Sequence, residues 1–300
     1  MAATLRLATL DDLFRIRNFA RQVVGPYYAS VGLGEFGEIQ VREYWDSPGQ
    51  EEAVRERRVL VAEIGAQFAG VAEFGELDDD AVLWKLYVAE QYRGTGLGGR
   101  LIDLTERHQP PDVTTLTLEH AAENVAAAGA YTALGFEVDR TEAGDDTTDQ
   151  IVWCRRRIVR EPGTIDHALH RSASGRTAET DSFFPNRWSA ARTDDFIAET
   201  GSITIASVND SGQPHAAYTI GGTFDRRPCF TVKPGTVLHR NLASEQRIGF
   251  SVSSEAGSAM GQGRAVRAAT APSESDAARI APAGWTGEVW RIEVDRLVAG

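Results

Sequence analysis

Between Leu86 and Leu101 the chain runs Leu-Tyr-Val-Ala-Glu-Gln-Tyr-Arg-Gly-Thr-Gly-Leu-Gly-Gly-Arg-Leu: an apolar stretch, a glycine-rich turn, then a helical pattern. This arrangement suits an anion. The first N–H groups of a helix have no intrahelical partner and point together, and glycines at 94, 96 and 98 let a diphosphate approach without a Cβ in the way. Arg93 adds a cation beside that turn. A second pair, Asn124 and Tyr131, is separated by about two helical turns and projects from one helix face. A tyrosine hydroxyl stays protonated at neutral pH and can donate a hydrogen bond to an incoming group.

The elements that must position these residues are legible in the apolar periodicity. Thr4 to Thr9 alternates as a strand, and Thr9 followed by Asp11 and Asp12 reads as a capped helix start. A polar, glycine-containing region with Tyr27, Tyr28, Tyr44 and Trp45 follows. Extended runs cover 58–64, 68–77 and 81–89, with Asp78, Asp79 and Asp80 as a hairpin turn between the last two. A helix over 99–107 ends at Pro110 and Pro111, 114–119 reads as a strand, and 124–134 as an alanine-rich helix stopped at Gly135. Strands at 136–141 and 151–158 complete an α+β unit. Three strands precede the glycine turn and no second repeat follows it, so a dinucleotide-binding βαβ unit is a poor fit.

From 159 to 185 periodicity fails among Pro, Gly, Ser and Thr, and the segment reads as a linker. Beyond it come one amphipathic helix, 189–199, and short strands at 202–209, 215–220, 228–232, 247–253, 262–269 and 289–294. Turn signals at Asn209 to Gly212 and at Gly221-Gly222 separate them, which indicates a small barrel or sandwich. The expected division is 1–158, a linker at 159–185, and 186–300.

Composition bounds the function. With 300 residues the chain exceeds one ordinary core, so two domains are expected. A net charge of −12 repels phosphate backbones and anionic headgroups, which disfavours nucleic-acid and membrane partners. No signal-peptide core or bilayer-length apolar run is present. Cys154 and Cys229 stand far apart without partners at metal-ligand spacing, so neither a disulfide framework nor a metal site is expected, and a reducing cytoplasm is the simplest compartment.

At Arg93, Gly96 and Gly98 the sequence resembles the GNAT acyltransferase superfamily, whose pyrophosphate signature these positions meet. The stretch from Asn124 through Tyr131 to Gly135-Phe136 resembles the helix that follows in that superfamily. The resemblance spans about 4–158 and implies the GNAT fold with a central mixed sheet and acetyl-CoA as co-substrate. It implies that backbone groups of Leu86 and Val88 pair with the pantetheine arm, that Arg93, Gly94, Thr95, Gly96, Leu97 and Gly98 hold the diphosphate, and that Asn124 orients the cofactor. Tyr131 would protonate the departing thiolate. The proton acceptor for the attacking amine stays open among Glu73, Glu119 and His120, because the strand 81–88 carries Trp84 and Lys85 but no acid. An apolar, ring-lined acceptor pocket is expected from Tyr27, Tyr28, Tyr44 and Trp45.

The stretch 201–249 resembles the pyridoxamine phosphate oxidase-like split β-barrels, flavin- or deazaflavin-binding dimers with haem-binding relatives, over about 186–296. The resemblance implies a homodimer and an FMN phosphate held by Thr231, Lys233, Thr236 and Arg240, since charge-assisted hydrogen bonds suit a phosphate. Leu238 departs from that pattern, where many flavin-binding members have lysine, and His239 leaves a haem-related role open beside an empty barrel. The expected function is acetyl transfer from acetyl-CoA to a small-molecule amine, with an attached flavin-type barrel that adds oxidoreductase activity. The alternatives are an acyl-CoA-sensing protein with a dimerising barrel, and a redox barrel with a degenerate first domain.

Overall fold

The computed structural model describes residues 3–77, 80–144, 148–268, 280 and 287–300. The chain divides into two compact units, Met1–Glu106 with Val113–Ile158, and Arg107–Asp112 with Val159–Gly300. Asp78, Asp79 and Ala269 of the expected turn and strand lie outside the described residues.

The first unit is built on a seven-stranded sheet of order β1-β2-β3-β4-β5-β7-β6. Its strands are β1 (Thr4–Leu7), β2 (Val59–Ile64), β3 (Gln67–Leu77), β4 (Asp80–Val88), β5 (Thr115–Ala121), β6 (Glu137–Ala143) and β7 (Gln150–Arg157). Among the described residues of this sheet, β4 and β5 are the one parallel pair. Val59, Leu60, Val61 and Ala62 are all fully buried, so β2 is covered on both faces and reads as a continuous apolar run. At the entry, Asp12 holds Arg6 of β1 through both carboxylate oxygens at 2.6 and 2.9 Å, while Glu63 of β2 takes Arg6 at 3.2 Å and Arg15 at 2.8 Å.

The region expected only to be polar and glycine-containing is helical. Helix α1 (Leu13–Ser30) continues through Gly25-Pro26, then come α2 (Gly34–Ile39), a π-helical turn (Gln40–Trp45) and α3 (Pro48–Arg55). Tertiary packing sustains these pieces. Ile16, Ala20, Val24, Trp45 and Ala53 are fully buried together on one core, and Gly37 sits where a Cβ would come within 2.6 Å of Tyr28 Cβ. Helices α4 (Leu97–His108) and α5 (Val125–Ala133) complete the unit.

The second unit is a closed antiparallel barrel of order β10-β13-β12-β11-β8-β9. Its strands are β8 (Ser202–Val208), β9 (Pro214–Phe224), β10 (Arg227–Val232), β11 (Arg247–Ser254), β12 (Gly257–Arg267) and β13 (Glu288–Ala299). The barrel closes because β9 pairs with β10 and β10 pairs with β13. Gly221 and Gly222 are not a turn. They lie inside β9, where a Cβ on Gly221 would stand 2.5 Å from Ile203 Cγ2, and the chain reverses instead at Asp225 and Arg226, both at positive φ.

Residues 159–185 are not a structureless connector. They form α6 (Ile165–Ala173) and α7 (Ala178–Phe183), and Ile165, Ala168 and Leu169 pack into the barrel core beside α8 (Ala190–Thr200). The short helix α9 (Val237–Ser244) follows β10 and buries Leu238 and Leu242.

Candidate functional site

Strands β4 and β5 are paired only from Ala81↔Leu116 to Leu83↔Leu118, yet β4 continues to Val88 and β5 to Ala121. Past Leu83 they part. The cause is a bulge: the β3–β4 register passes from Phe74↔Leu83 to Glu73↔Lys85, which leaves Trp84 as an extra residue. A bulge bends its strand and ends pairing on the neighbouring side.

The gap exposes backbone. The Ala89 amide donates to the Ala69 carbonyl at 2.9 Å, so by alternation the polar groups of Tyr87 face β3 and those of Leu86 and Val88 face the gap. The Val88 carbonyl accepts from Arg93 Nε at 3.1 Å.

The gap leads to the glycine turn. Gly94 and Gly96 have φ of +74° and +82°, and a Cβ on either would meet open space, so left-handed backbone rather than crowding calls for glycine here. The Arg100 amide donates to the Gly96 carbonyl at 3.1 Å, the first bond of α4, which leaves the amides of Leu97, Gly98 and Gly99 in the unpaired first turn. Thr95 turns its hydroxyl back to the Tyr92 carbonyl at 2.7 Å. The Arg93 guanidinium lies 4.7 Å from the centre of the Tyr27 ring, which holds a cation at the mouth.

Asn124 caps α5. Its side-chain oxygen accepts from the Ala127 amide at 3.2 Å and from the Tyr27 hydroxyl at 2.6 Å, so the oxygen is occupied and the amide NH2 is the group left to offer. Tyr131 lies farther along the same helix, its ring 5.9 Å from those of His120 and Phe136. Burial pushes its phenol above the ordinary range, with Tyr28 and Tyr27 adding to the rise. Burial does the same to Tyr87, whose hydroxyl is 3.0 Å from that of Tyr28.

These groups share one cleft of about 430 Å³, the size of a small-molecule site. It brings together Leu86, Val88, Arg93, Gly94, Gly96, Leu97, Gly98, Asn124 and Tyr131; Thr95 is not on its wall. Of the expected acceptor rings, Tyr27 and Tyr28 line it. Tyr44 is exposed and Trp45 is fully buried, edge-on to Tyr87, so these two serve elsewhere. Phe36, Gln40 and Trp84 line the cleft in their place, and the bulge that turns Trp84 toward it has no sequence signal beyond a tryptophan in a strand.

The three candidate proton acceptors separate. Glu73 is buried and accepts from Lys85 Nζ at 2.7 Å and Gln50 Nε2 at 3.1 Å, away from the cleft. Burial lowers the Lys85 ammonium, and Glu73 opposes that shift. Glu119 and His120 both line the cleft. Desolvation by the cleft walls raises the Glu119 carboxyl, and Glu142 adds to the rise.

In the barrel three of the four expected phosphate ligands are engaged within the protein. Thr231 is buried, and its hydroxyl lies 3.1 Å from the Thr219 hydroxyl, whose own proton goes to the Thr231 carbonyl at 2.7 Å. Thr236 caps α9, accepting from the His239 amide and donating its one proton to the Lys233 carbonyl at 2.8 Å. Arg240 donates to the Gly235 carbonyl at 2.8 Å, and Lys233 is exposed. The Thr231 and Thr236 hydroxyls direct their protons to protein oxygens, which leaves the exposed Lys233 ammonium and the remaining N–H groups of Arg240 as the donors that could meet an anion. Leu238 points into the core, and His239 Nε2 is 3.8 Å from Glu288. Among the described residues no group of His, Cys, Asp or Glu could hold a metal, and no helix is long and apolar enough to cross a membrane.

A comparison with curated proteins returns no match. Among solved structures the chain is similar to the PaiA N-acetyltransferase of Thermoplasma acidophilum in complex with coenzyme A, at 18% identity and TM-score 0.45 over 53% of this chain and 100% of that one. It is similar to a GNAT-family acetyltransferase of Bacillus cereus at 15% identity and TM-score 0.41, over 53% and 100%. The ribosomal-protein-S18-alanine N-acetyltransferase of Escherichia coli gives 20% identity and TM-score 0.37, over 53% and 96%. Residues 55–138, which hold the bulge, the glycine turn, α4 and the helix of Tyr131, match the family model described as the acetyltransferase (GNAT) domain.

Proposed function

We propose that the first unit is an acetyl-CoA-dependent N-acetyltransferase acting on a small-molecule amine. One observation carries the reading: the strand gap opens at one end onto the unpaired amides of α4, and holds a half-buried, protonated phenol in the same cleft. The α4 amides and Arg93 suit a diphosphate, the gap-facing backbone of Leu86 and Val88 suits the amide-bearing pantetheine arm, and Tyr131 suits the sulfur at its end. Asn124 offers its NH2 toward the arm. The amine would enter past Tyr27, Tyr28, Phe36 and Trp84.

The test is calorimetric titration with acetyl-CoA followed by thiol release with a panel of amines. A folded Gly96→Glu protein should bind at least tenfold more weakly, because a left-handed glycine is replaced by a carboxylate where anion-binding amides converge. Equal affinity would remove the diphosphate assignment. Binding without turnover on any amine would favour acyl-CoA sensing instead.

For the barrel we propose a homodimer, in a cytoplasmic setting where the buried thiols of Cys154 and Cys229 stay free. Tyr218, Thr204, Ser251 and Met260 stand in direct register across β9, β8, β11 and β12, an outward row without charge whose ends, Tyr218 and Met260, are 77% and 50% exposed. Sedimentation of the purified chain checks this, and Tyr218→Asp should shift it to monomer. With the Thr231 and Thr236 hydroxyls engaged in the protein, an FMN phosphate would be held by Lys233 and Arg240 alone; saturable FMN binding weakened by Arg240→Ala would support that reading, and no binding would leave the barrel a dimerising module.

A further inference from the structure

We infer that His120 accepts the proton of the attacking amine through Nε2, an assignment that rests on the acetyltransfer reading above.

His120 lies on β5 two residues beyond the last pair with β4, and so inside the gap. Its Nδ1 is 2.8 Å from the Ala121 carbonyl oxygen. A carbonyl only accepts, so Nδ1 carries the hydrogen and the neutral ring presents its lone pair at Nε2. The ring is half-buried, lines the cleft, and stands 5.9 Å from the Tyr131 ring with the two planes 34° apart. One imidazole able to take a proton and one phenol able to give one thus face the same space.

The rivals are placed less well. Glu73 is buried in its pair with Lys85. Glu119 also reaches the cleft, but it is exposed, and no hydrogen bond among the described residues orients its carboxylate as the Ala121 carbonyl orients the His120 ring. The ionisable groups around this part of the cleft include Tyr27 and Tyr28 from α1, Tyr87 from β4, Tyr92 and Arg93 from the turn after it, Glu119 from β5, Tyr131 from α5, Arg140 and Glu142 from β6, and Cys154 from β7.

The step balances as follows. The substrate ammonium gives one proton to Nε2, and the freed amine attacks the thioester carbonyl carbon, forming the C–N bond. As the tetrahedral adduct collapses the C–S bond breaks and Tyr131 gives its proton to sulfur. The remaining excess proton on nitrogen replaces the one Tyr131 lost. The products are the amide, the free coenzyme A thiol and an imidazolium that returns its proton to water.

The experiment compares the unmodified chain, His120→Gln and Glu119→Gln, with coenzyme A affinity measured on each to show that the fold and cofactor site stand. Transfer to an amine is then followed across pH. His120→Gln should lower kcat/KM by about 10²–10⁴-fold, the range for positioned proton transfer, and should lack the ascending limb that the unmodified chain shows. Added imidazole should restore part of the rate to His120→Ala. An unchanged limb in His120→Gln, or its loss in Glu119→Gln instead, overturns the assignment while acetyl transfer stands. No transfer by the unmodified chain on any amine overturns both.

Discussion

A phenol whose proton is held by burial has something to give to sulfur and resists becoming a base, which sets the direction of transfer at Tyr131. Tyr131→Phe removes that proton and keeps the ring against Phe136, so kcat should fall by about 10²–10⁴-fold while acetyl-CoA affinity stays within a few-fold. Rapid-mixing kinetics with transfer as the slow step checks it, and an unchanged kcat would return Tyr131 to packing. Asn124 does two tasks with one carboxamide. Asn124→Ala takes the cap from α5 and the acceptor from Tyr27, so it should cost about 0.5–2 kcal/mol of stability and weaken coenzyme A binding as well. Urea unfolding and calorimetry on one preparation separate the two losses.

Elements are held in place by charge where the sheet begins. The hydrogen bonds from Arg6, together with those from Thr9, bring the Asp12 carboxyl from 3.8 down to about 2, despite a burial that would raise it. A depressed carboxyl contributes stability that is present above its ordinary value and lost as pH falls toward the folded one. That contribution is about 2 kcal/mol. Asp12→Asn should therefore be less stable than the unmodified chain near neutral pH, and the difference should shrink between about pH 4 and pH 2. Denaturant midpoints across that window test it. The strands and the two helices of the cleft were legible because alternation and a glycine stop leave marks in sequence. The π-helical turn that carries Tyr44 and Trp45 left none, since one apolar and one exposed ring in succession fit no single period. The bulge was equally silent: Trp84 reads as one more strand residue, although it is what parts β4 from β5. His120 could be suspected by type, but its tautomer depends on the Ala121 carbonyl, which only the folded backbone supplies.

At the scale of the whole molecule, the packing of residues 159–185 carries a prediction. Residues 159–185 lack periodicity because their helices are short, yet α6 puts Ile165 and Ala168 at zero exposure and Leu169 at 5% into the barrel core. The backbone is stitched to the barrel too. The Ile165 amide donates to the Arg226 carbonyl at 2.9 Å, the Val294 amide to the Gly163 carbonyl at 2.9 Å, and the Leu297 amide to the Ser172 hydroxyl at 3.0 Å. Burying a large aliphatic side chain contributes about 1.5–3 kcal/mol, so Ile165 and Leu169 together supply about 3–6 kcal/mol. That is a large part of the 5–15 kcal/mol by which a typical domain is stable. A full-length Ile165→Asp protein tests this contact, because it buries an unpaired carboxylate in that core: its barrel should unfold well below that of the unmodified chain and bind a dye that reports exposed apolar surface. An unchanged transition would mean that α6 decorates the barrel without sustaining it.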